Sequence, residues 1–300
     1  MKETIRLLNE EDYPLLEAMD TGKSEDYVKR IFDRLITGPN RLYGLFSDGK
    51  LASVGGYSIY AKRYAMLGRL RSDMRFRGKN FATKLMEFVK DEAFKVDEIH
   101  WVGANTQEEN FPARRVLEKM GFQSYTMLHG AITKDTSALE SGGQTWNKIH
   151  DMQQKIVWLD EMYLKTKAIF PYECYYPFPA STDLFQKKDL DTWTFYENMD
   201  QTRILITKVD QKKHKYLHAI YPWNDINNQK GLWETISKEY QELLKQTEEE
   251  TYIWMDLTKE EANQLPENHS FELPSPWILF GIEKTQWKKS KNPTNNMISL

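Results

Sequence analysis

Positions 70–84 read Leu70-Arg-Ser-Asp-Met-Arg-Phe-Arg-Gly-Lys-Asn-Phe-Ala-Thr-Lys84, and no other stretch limits the chain's folding choices so much. A strand ends, an Arg77-Gly78-Lys79 turn follows, and a helix begins with Phe81, Leu85, Phe88 and Val89 on one face. Such a turn directs unpaired backbone N–H groups outward at the positive end of the helix, which makes an anion site. Gly78 lets the backbone approach a phosphate closely, and the small Ala82 lets a bulky group lie against the first helical turn. Charge agrees. Residues 62–84 hold eight Lys or Arg against Asp73 alone, on a chain whose formal charge is −3. No G-x-x-x-x-G-K-[ST] and no G-x-G-x-x-G occurs. Positive charge focused on one turn, without a basic face elsewhere, suits a compact polyphosphate better than a nucleic acid.

The flanking segments supply the layers. Residues 5–8 read as a strand, and acidic residues after Asn9 start a helix with Leu15, Leu16 and Met19 on one face. Ser24 is placed to cap a second helix with Val28, Ile31, Phe32 and Leu35 at helical spacing, ended by Gly38-Pro39. Strands at 42–46 and 51–60 flank Ser47-Asp48-Gly49-Lys50, a type I′ hairpin signal, and 64–72 is a further strand. After the helix at 80–95 come a buried strand at 99–104, a helix at 113–120 closed by Gly121, and a returning strand at 122–132. This order gives an α/β class fold, a mixed central sheet with helices on both faces.

Two blocks of this region resemble the GNAT acetyltransferase superfamily. Arg77-Gly78-Lys79-Asn80-Phe81-Ala82 is similar to its Arg/Gln-x-x-Gly-x-Gly/Ala motif. Downstream, Asn110-Phe-Pro-Ala113-Arg-Arg-Val116-Leu117-Glu118-Lys119-Met120-Gly121-Phe122 resembles its Asn-x-x-Ala-x-x-Leu-Tyr-Glu-Lys-Leu-Gly-Phe segment. The resemblance covers residues 3–132 and implies acetyl-CoA as co-substrate. Backbone amides of Arg77, Gly78, Lys79, Asn80, Phe81, Ala82 and Thr83 would receive the diphosphate. Leu70, Arg71 and Ser72 at the strand end would hold the pantetheine arm and polarise the thioester carbonyl. Asn105 and Asn110 would contact the cofactor. Amine attack on a thioester builds an oxyanion that fixed N–H groups stabilise, and holding both reactants in one cleft lowers the barrier further.

Two positions depart from the family pattern. Asn80 stands where glycine is usual; asparagine tolerates left-handed backbone better than most residues. Leu117 stands where many members carry a tyrosine that protonates the departing thiolate, and leucine donates no proton. Tyr125, His129 and Asp73 are the nominees for an acid, and His100, Glu108 and Glu109 for a base. The catalytic residues stay unassigned.

Composition changes near position 140. Thirteen of fifteen glycines lie at or before Gly143, whereas eight of nine tryptophans follow position 145. We expect an acetyl-CoA-binding domain over 1–138, a linker at 139–145, a second domain over 146–287 and a loose polar tail at 288–300. The second domain reads as a long helix over 145–165, an aromatic, proline-rich loop at 170–179, and strands at 192–197, 203–209 and 216–221. A helix at 231–245, a strand at 251–256, a short helix at 259–264 and a strand at 277–282 follow. That order repeats 42–132 and suggests a degenerate second copy of the fold. Its equivalent turn, 223–231, lacks the Arg-Gly pair, so only the first copy is expected to hold CoA.

The remaining exclusions are compositional. Hydrophobic content of 40% supports a sizeable core, and no apolar run is long enough to span a bilayer. The acidic N-terminal segment lacks a signal peptide's apolar stretch, and Cys174, the single cysteine, excludes an intramolecular disulfide or a Cys-based zinc cluster. His214 and His218 are four apart, but in a strand-like stretch without a third ligand nearby, so no metal is expected. The expectation is a cytoplasmic N-acetyltransferase, monomer or homodimer. It would move acetyl to a primary amine of a small molecule or peptide, with no nucleic-acid or membrane partner. A non-catalytic acyl-CoA-binding or sensing protein is the rival, motivated by Asn80 and Leu117.

Overall fold

Apolar residues at strand and helix periods set where the elements form in the computed structural model, which describes residues 2–23 and 25–291. The strands are β1 (Glu3–Leu7), β2 (Asn40–Ser47), β3 (Lys50–Tyr60), β4 (Tyr64–Ser72), β5 (Trp101–Gln107), β6 (Gln123–Thr133) and β7 (Asn147–Ile149). They continue as β8 (Ile169–Glu173), β9 (Tyr176–Pro179), β10 (Thr194–Glu197), β11 (Ile204–Gln211), β12 (Lys215–Ile220), β13 (Thr251–Leu257) and β14 (Trp277–Glu283). The helices are α1 (Tyr13–Glu17), α2 (Tyr27–Arg30), α3 (Phe32–Leu35), α4 (Phe81–Lys95) and α5 (Phe111–Lys119). The second half adds α6 (Met152–Leu159), α7 (Lys187–Leu190), α8 (Leu232–Leu244), α9 (Lys259–Gln264) and α10 (Lys284–Lys291).

Two compact units divide the described chain, 2–125 with 279–291 and 126–278. They do not follow the composition break at 139–145: most of β6 falls with the second unit, and most of β14 with the first. In the first unit β1 to β4 form an antiparallel meander, and β4 continues parallel to β5. The Asp48-Gly49 turn has positive φ at both residues, 48° and 78°, as a type I′ hairpin requires. Side chains alternate across this sheet. Leu42, Phe46, Leu51 and Val54 pack with Leu16, Val28, Phe32 and Leu35 under α1–α3. Tyr43 points the other way, against Phe88 of α4 with ring centroids 5.7 Å apart. Gly55 permits that close packing, since a Cβ there would lie 2.5 Å from Met86 Sδ. Helices therefore cover both faces.

The second unit orders its strands β6-β13-β12-β11-β10-β7, with β12 and β13 parallel and the other pairs antiparallel. Its helix α8 packs Trp233, Ile236, Tyr240 and Leu243 onto Leu205, Leu217, Ile253 and Met255. A mixed α/β fold with helices and a mixed sheet is what the residue pattern implies.

Several local expectations are corrected. The stretch 145–165 is helical only from Met152 to Leu164, its last turn widened over Asp160–Leu164: 147–149 instead pairs with β10, and Asp151 caps α6 by accepting from the N–H of Gln153 and Gln154. The region 170–179 is a hairpin, β8 with β9, because a two-stranded sheet with open edges tolerates Pro171 opposite Pro177. The second helix is split at Ile31, and its N-cap is Asp26, whose side chain accepts from Val28 N–H at 3.0 Å. The expected cap, Ser24, lies outside the described residues. Positions 288–291 belong to α10, where Trp287 stacks on Phe94 at 4.9 Å and donates to Asp91 at 2.8 Å. The rest of the expected tail, 292–300, lies outside the described residues.

Candidate active site

Two backbone features open the first unit beside β4. The parallel ladder between β4 and β5 covers only Tyr64 to Leu67 opposite Trp101 to Ala104. Beyond it, Arg69 adopts φ +58°, and the β3–β4 register shifts between Val54 and Gly56. A bulge of this kind re-aims a strand end. The β5-facing edge of 68–72 is thereby left outside the ladder, ahead of the helix α4.

The turn into α4 follows. Asp73 anchors it from below: its buried carboxylate accepts from Arg75 N–H, Arg75 Nε and Asp20 N–H. Gly78 has φ +80°, with none of the described residues within 4 Å of a Cβ built there. Asn80 sits at φ 60°, ψ 18° as the N-cap and makes no side-chain cap, so it takes the left-handed conformation that its residue type tolerates. The first turn of α4 carries no acidic residue, and its amides point out uncapped.

A cavity of about 610 Å³ lies at this helix terminus. Seven of the residues singled out from sequence line it: Ser72, Arg77, Gly78, Asn80, Phe81, Ala82 and Thr83. Ala52 and Phe76 complete one side, and Pro112, Arg115, Val116 and Lys119 of α5 the other. Arg77, Arg115 and Lys119 are cationic, and the lining contains no carboxylate, histidine or cysteine. The α5 contribution has a signal in the sequence that the two motifs alone do not bring out. Its four residues recur at helical spacing on the face opposite the buried Leu117.

The other singled-out residues stand around the cavity without lining it. Arg71 makes a two-toothed ion pair with Asp26 at 2.7 and 2.8 Å, and lies over the Tyr27 ring at 5.2 Å. Burial pushes the Asp26 carboxyl up, but the Arg71 hydrogen bonds and Val28 N–H outweigh it and hold it below its ordinary value. Leu70 accepts at its carbonyl from Arg71 Nη1 at 2.9 Å. Lys79 places its ammonium over Phe76 at 5.1 Å. Asn105 lies on β5 just past the ladder. Asn110 caps α5, accepting from Ala113 N–H at 3.3 Å.

None of the acid–base nominees lines the cavity. The Arg75 guanidinium holds the Asp73 carboxyl below its usual range against the effect of burial, which makes it a poor proton donor near neutrality. Burial raises the Tyr125 phenol, whose ring meets Trp101 edge-on at 5.9 Å. His129 Nδ1–H donates to the Pro274 carbonyl at 2.8 Å, and Arg63 lies 2.8 Å from His100 Nε2. Leu117 is buried, and the neighbouring Val116 faces the cavity.

The start of α8 in the second unit is filled by its own chain. Gly231 has φ +79° at the N-cap of α8, as Asn80 does at α4. There Gly143 N–H donates to Glu234 at 2.8 Å, Gly231 N–H to Ser141 at 3.1 Å, and Trp146 N–H to Thr235 at 2.8 Å. A Cβ on Gly231 would lie 1.9 Å from the Gln144 carbonyl oxygen.

Comparison with known proteins agrees with this architecture. Residues 3–122 match the model of the Acetyltransferase (GNAT) family. No curated protein sequence matches the chain. The chain is similar in fold to a GCN5-related N-acetyltransferase from Sphaerobacter thermophilus, at 12% identity and a TM-score of 0.56, covering 94% of this chain and 96% of that one. It is also similar to a Pyrococcus horikoshii protein designated an acetyltransferase, at 9% identity and a TM-score of 0.50, covering 94% and 89%. The structure of the ribosomal-protein-S18-alanine N-acetyltransferase from Escherichia coli covers 42% of this chain and 81% of its own, at 19% identity and a TM-score of 0.38. The match to the GNAT acetyltransferase family lies over residues 3–122, the segment that holds the turn and the cavity.

Proposed function

We propose that the protein transfers the acetyl group of acetyl-CoA to a primary amine by direct attack in a ternary complex. The observation that carries this reading is the cavity at the uncapped start of α4, ringed by Arg77, Arg115 and Lys119 and free of acidic side chains. In it, the amides of residues 77–83 would receive the diphosphate, with the α5 cations closing over it. The unpaired edge of 70–72 would hold the pantetheine arm as an added strand, and its N–H groups would stabilise the oxyanion. Arg71 serves here through its backbone, because its guanidinium is committed to Asp26. Asn105 and Asn110 flank the same end of β5. The second unit, a degenerate copy of the same fold, binds no CoA because residues 141–146 cover the start of α8.

No lining residue is a strong general acid, so the thiolate leaves with solvent as its proton source, and the amine loses its proton to water or to a group outside the lining. The test mixes the full-length chain with acetyl-CoA and a panel of small-molecule and peptide amines, measuring free thiol. Amine-dependent thiol release is expected. Tight acetyl-CoA binding with no turnover on any amine would favour an acyl-CoA sensor, a reading that the buried Leu117 keeps alive. Absence of binding would remove both.

A further inference from the structure

The second unit gathers Cys174, Asp210 and His218 on the sheet face opposite α8. Cys174 lies in the β8–β9 turn, Asp210 on β11 and His218 on β12, and their candidate ligand atoms all lie within 4.8 Å of one another. Cys174 and His218 are fully buried, and Asp210 is half-buried.

The histidine is the informative member. Its Nε2–H donates to Asp256 Oδ2 at 2.8 Å, and the same oxygen accepts from Trp254 Nε1–H at 3.1 Å. A carboxylate accepting at Nε2 fixes the neutral tautomer, so Nδ1 carries a lone pair. That Nδ1 is buried and has no hydrogen-bond partner among the described residues. A buried acceptor left unsatisfied is costly, and a ring held only by packing has no reason to leave one. A histidine whose second nitrogen donates to a carboxylate is also the arrangement that orients a metal-bound imidazole.

We propose that Cys174 Sγ, Asp210 and His218 Nδ1 bind a divalent transition metal ion, zinc by the chemistry of the donors. Thiolate, imidazole and carboxylate are the donor types zinc takes, with a water for the fourth position. The thiolate and the Asp210 carboxylate together neutralise the ion. Asp210 already accepts from Cys174 N–H at 2.7 Å and pairs with Lys212 at 3.2 Å, yet each oxygen keeps a second lone pair. The neighbouring cation Lys208 is held elsewhere, donating to the Tyr172 carbonyl and lying over Trp193 at 4.6 Å. The ion would staple the separate β8–β9 hairpin to β11 and β12. Sequence reading expects no metal because it seeks a third ligand beside His214 and His218. The strand pairing brings the partners from elsewhere, while His214 pairs with Glu250 at 3.0 Å.

This site is independent of the acetyl-CoA reading, and its test uses no activity. The full-length chain is stripped with a chelator, incubated with Zn²⁺ alone, dialysed and assayed for metal. One zinc per chain is expected, with a higher melting midpoint that a chelator reverses. Replacing zinc by Co²⁺ should give a thiolate-to-cobalt charge-transfer band, a readout that needs no variant. Cys174→Ser and His218→Gln, checked for folding by circular dichroism, should lose the metal, whereas His214→Gln should keep it. Substoichiometric zinc, a cobalt spectrum without the thiolate band, or full retention by folded Cys174→Ser would each overturn the proposal.

Discussion

Replacing Arg115 and Lys119 by glutamine tests the cofactor reading where it is most physical. Both side chains line the cavity from α5, and both are exposed, so water screens them strongly. At a contact distance of ~4 Å in a water-like dielectric, one such charge interacts with a phosphate by about 1 kcal/mol. Each substitution should therefore weaken acetyl-CoA about 5-fold, and the pair together roughly 25-fold if they act independently. Calorimetry at two salt concentrations, with the full-length chain, reads both the loss and its salt dependence. The double variant should show a shallower dependence, because two cation–phosphate contacts no longer screen. Acetyl-pantetheine, which has no diphosphate, supplies the internal control: its affinity should not change. Equal weakening of both ligands would mean that α5 was disturbed rather than discharged. Unchanged acetyl-CoA binding would refute the placement of the diphosphate.

Three further outcomes follow from other contacts. Arg71→Ala strands the Asp26 carboxylate, whose side chain is 1% exposed, and should cost about 3 kcal/mol in urea unfolding, whereas Arg71→Ala with Asp26→Ala should recover part of that loss. Asp73 has its carboxyl held below the usual value by Arg75, so its stabilising contribution is complete above the unfolded value and disappears as pH falls through the lowered native one. Asp73→Asn should accordingly lower stability near neutrality and flatten the acid limb of melting midpoint against pH; a parallel shift at every pH would count against the ionised form. Leu117→Tyr should not raise amine-dependent turnover, because position 117 faces the core, and overpacking there should cost about 1–3 kcal/mol.

The turn at 77–83 was legible because its chemistry is local: strand, glycine, helix start and charge all fall within one short stretch. Asn80 shows the same, since its left-handed φ follows from its own residue type and position. Arg71 shows the limit. Its neighbours reveal a cation at a strand end but not Asp26, 45 residues away, which takes up its guanidinium. Periodicity misled at 145–165, where Trp146 and Ile149 continue a helical stripe, yet the Asp151 cap starts the helix only afterwards. Cys174 and His218 stand apart in the sequence for a related reason, since only the register of β11 with β12 and the fold of the hairpin bring them near.

The strap at 141–146 bears on any attempt to engineer a bivalent enzyme from this chain. Grafting an arginine-glycine pair and extra lysines before α8 would supply attraction without vacancy, because Glu234 and the Gln144 carbonyl already stand where an incoming phosphate would need to go. Rerouting that short crossing has to come before any change of charge.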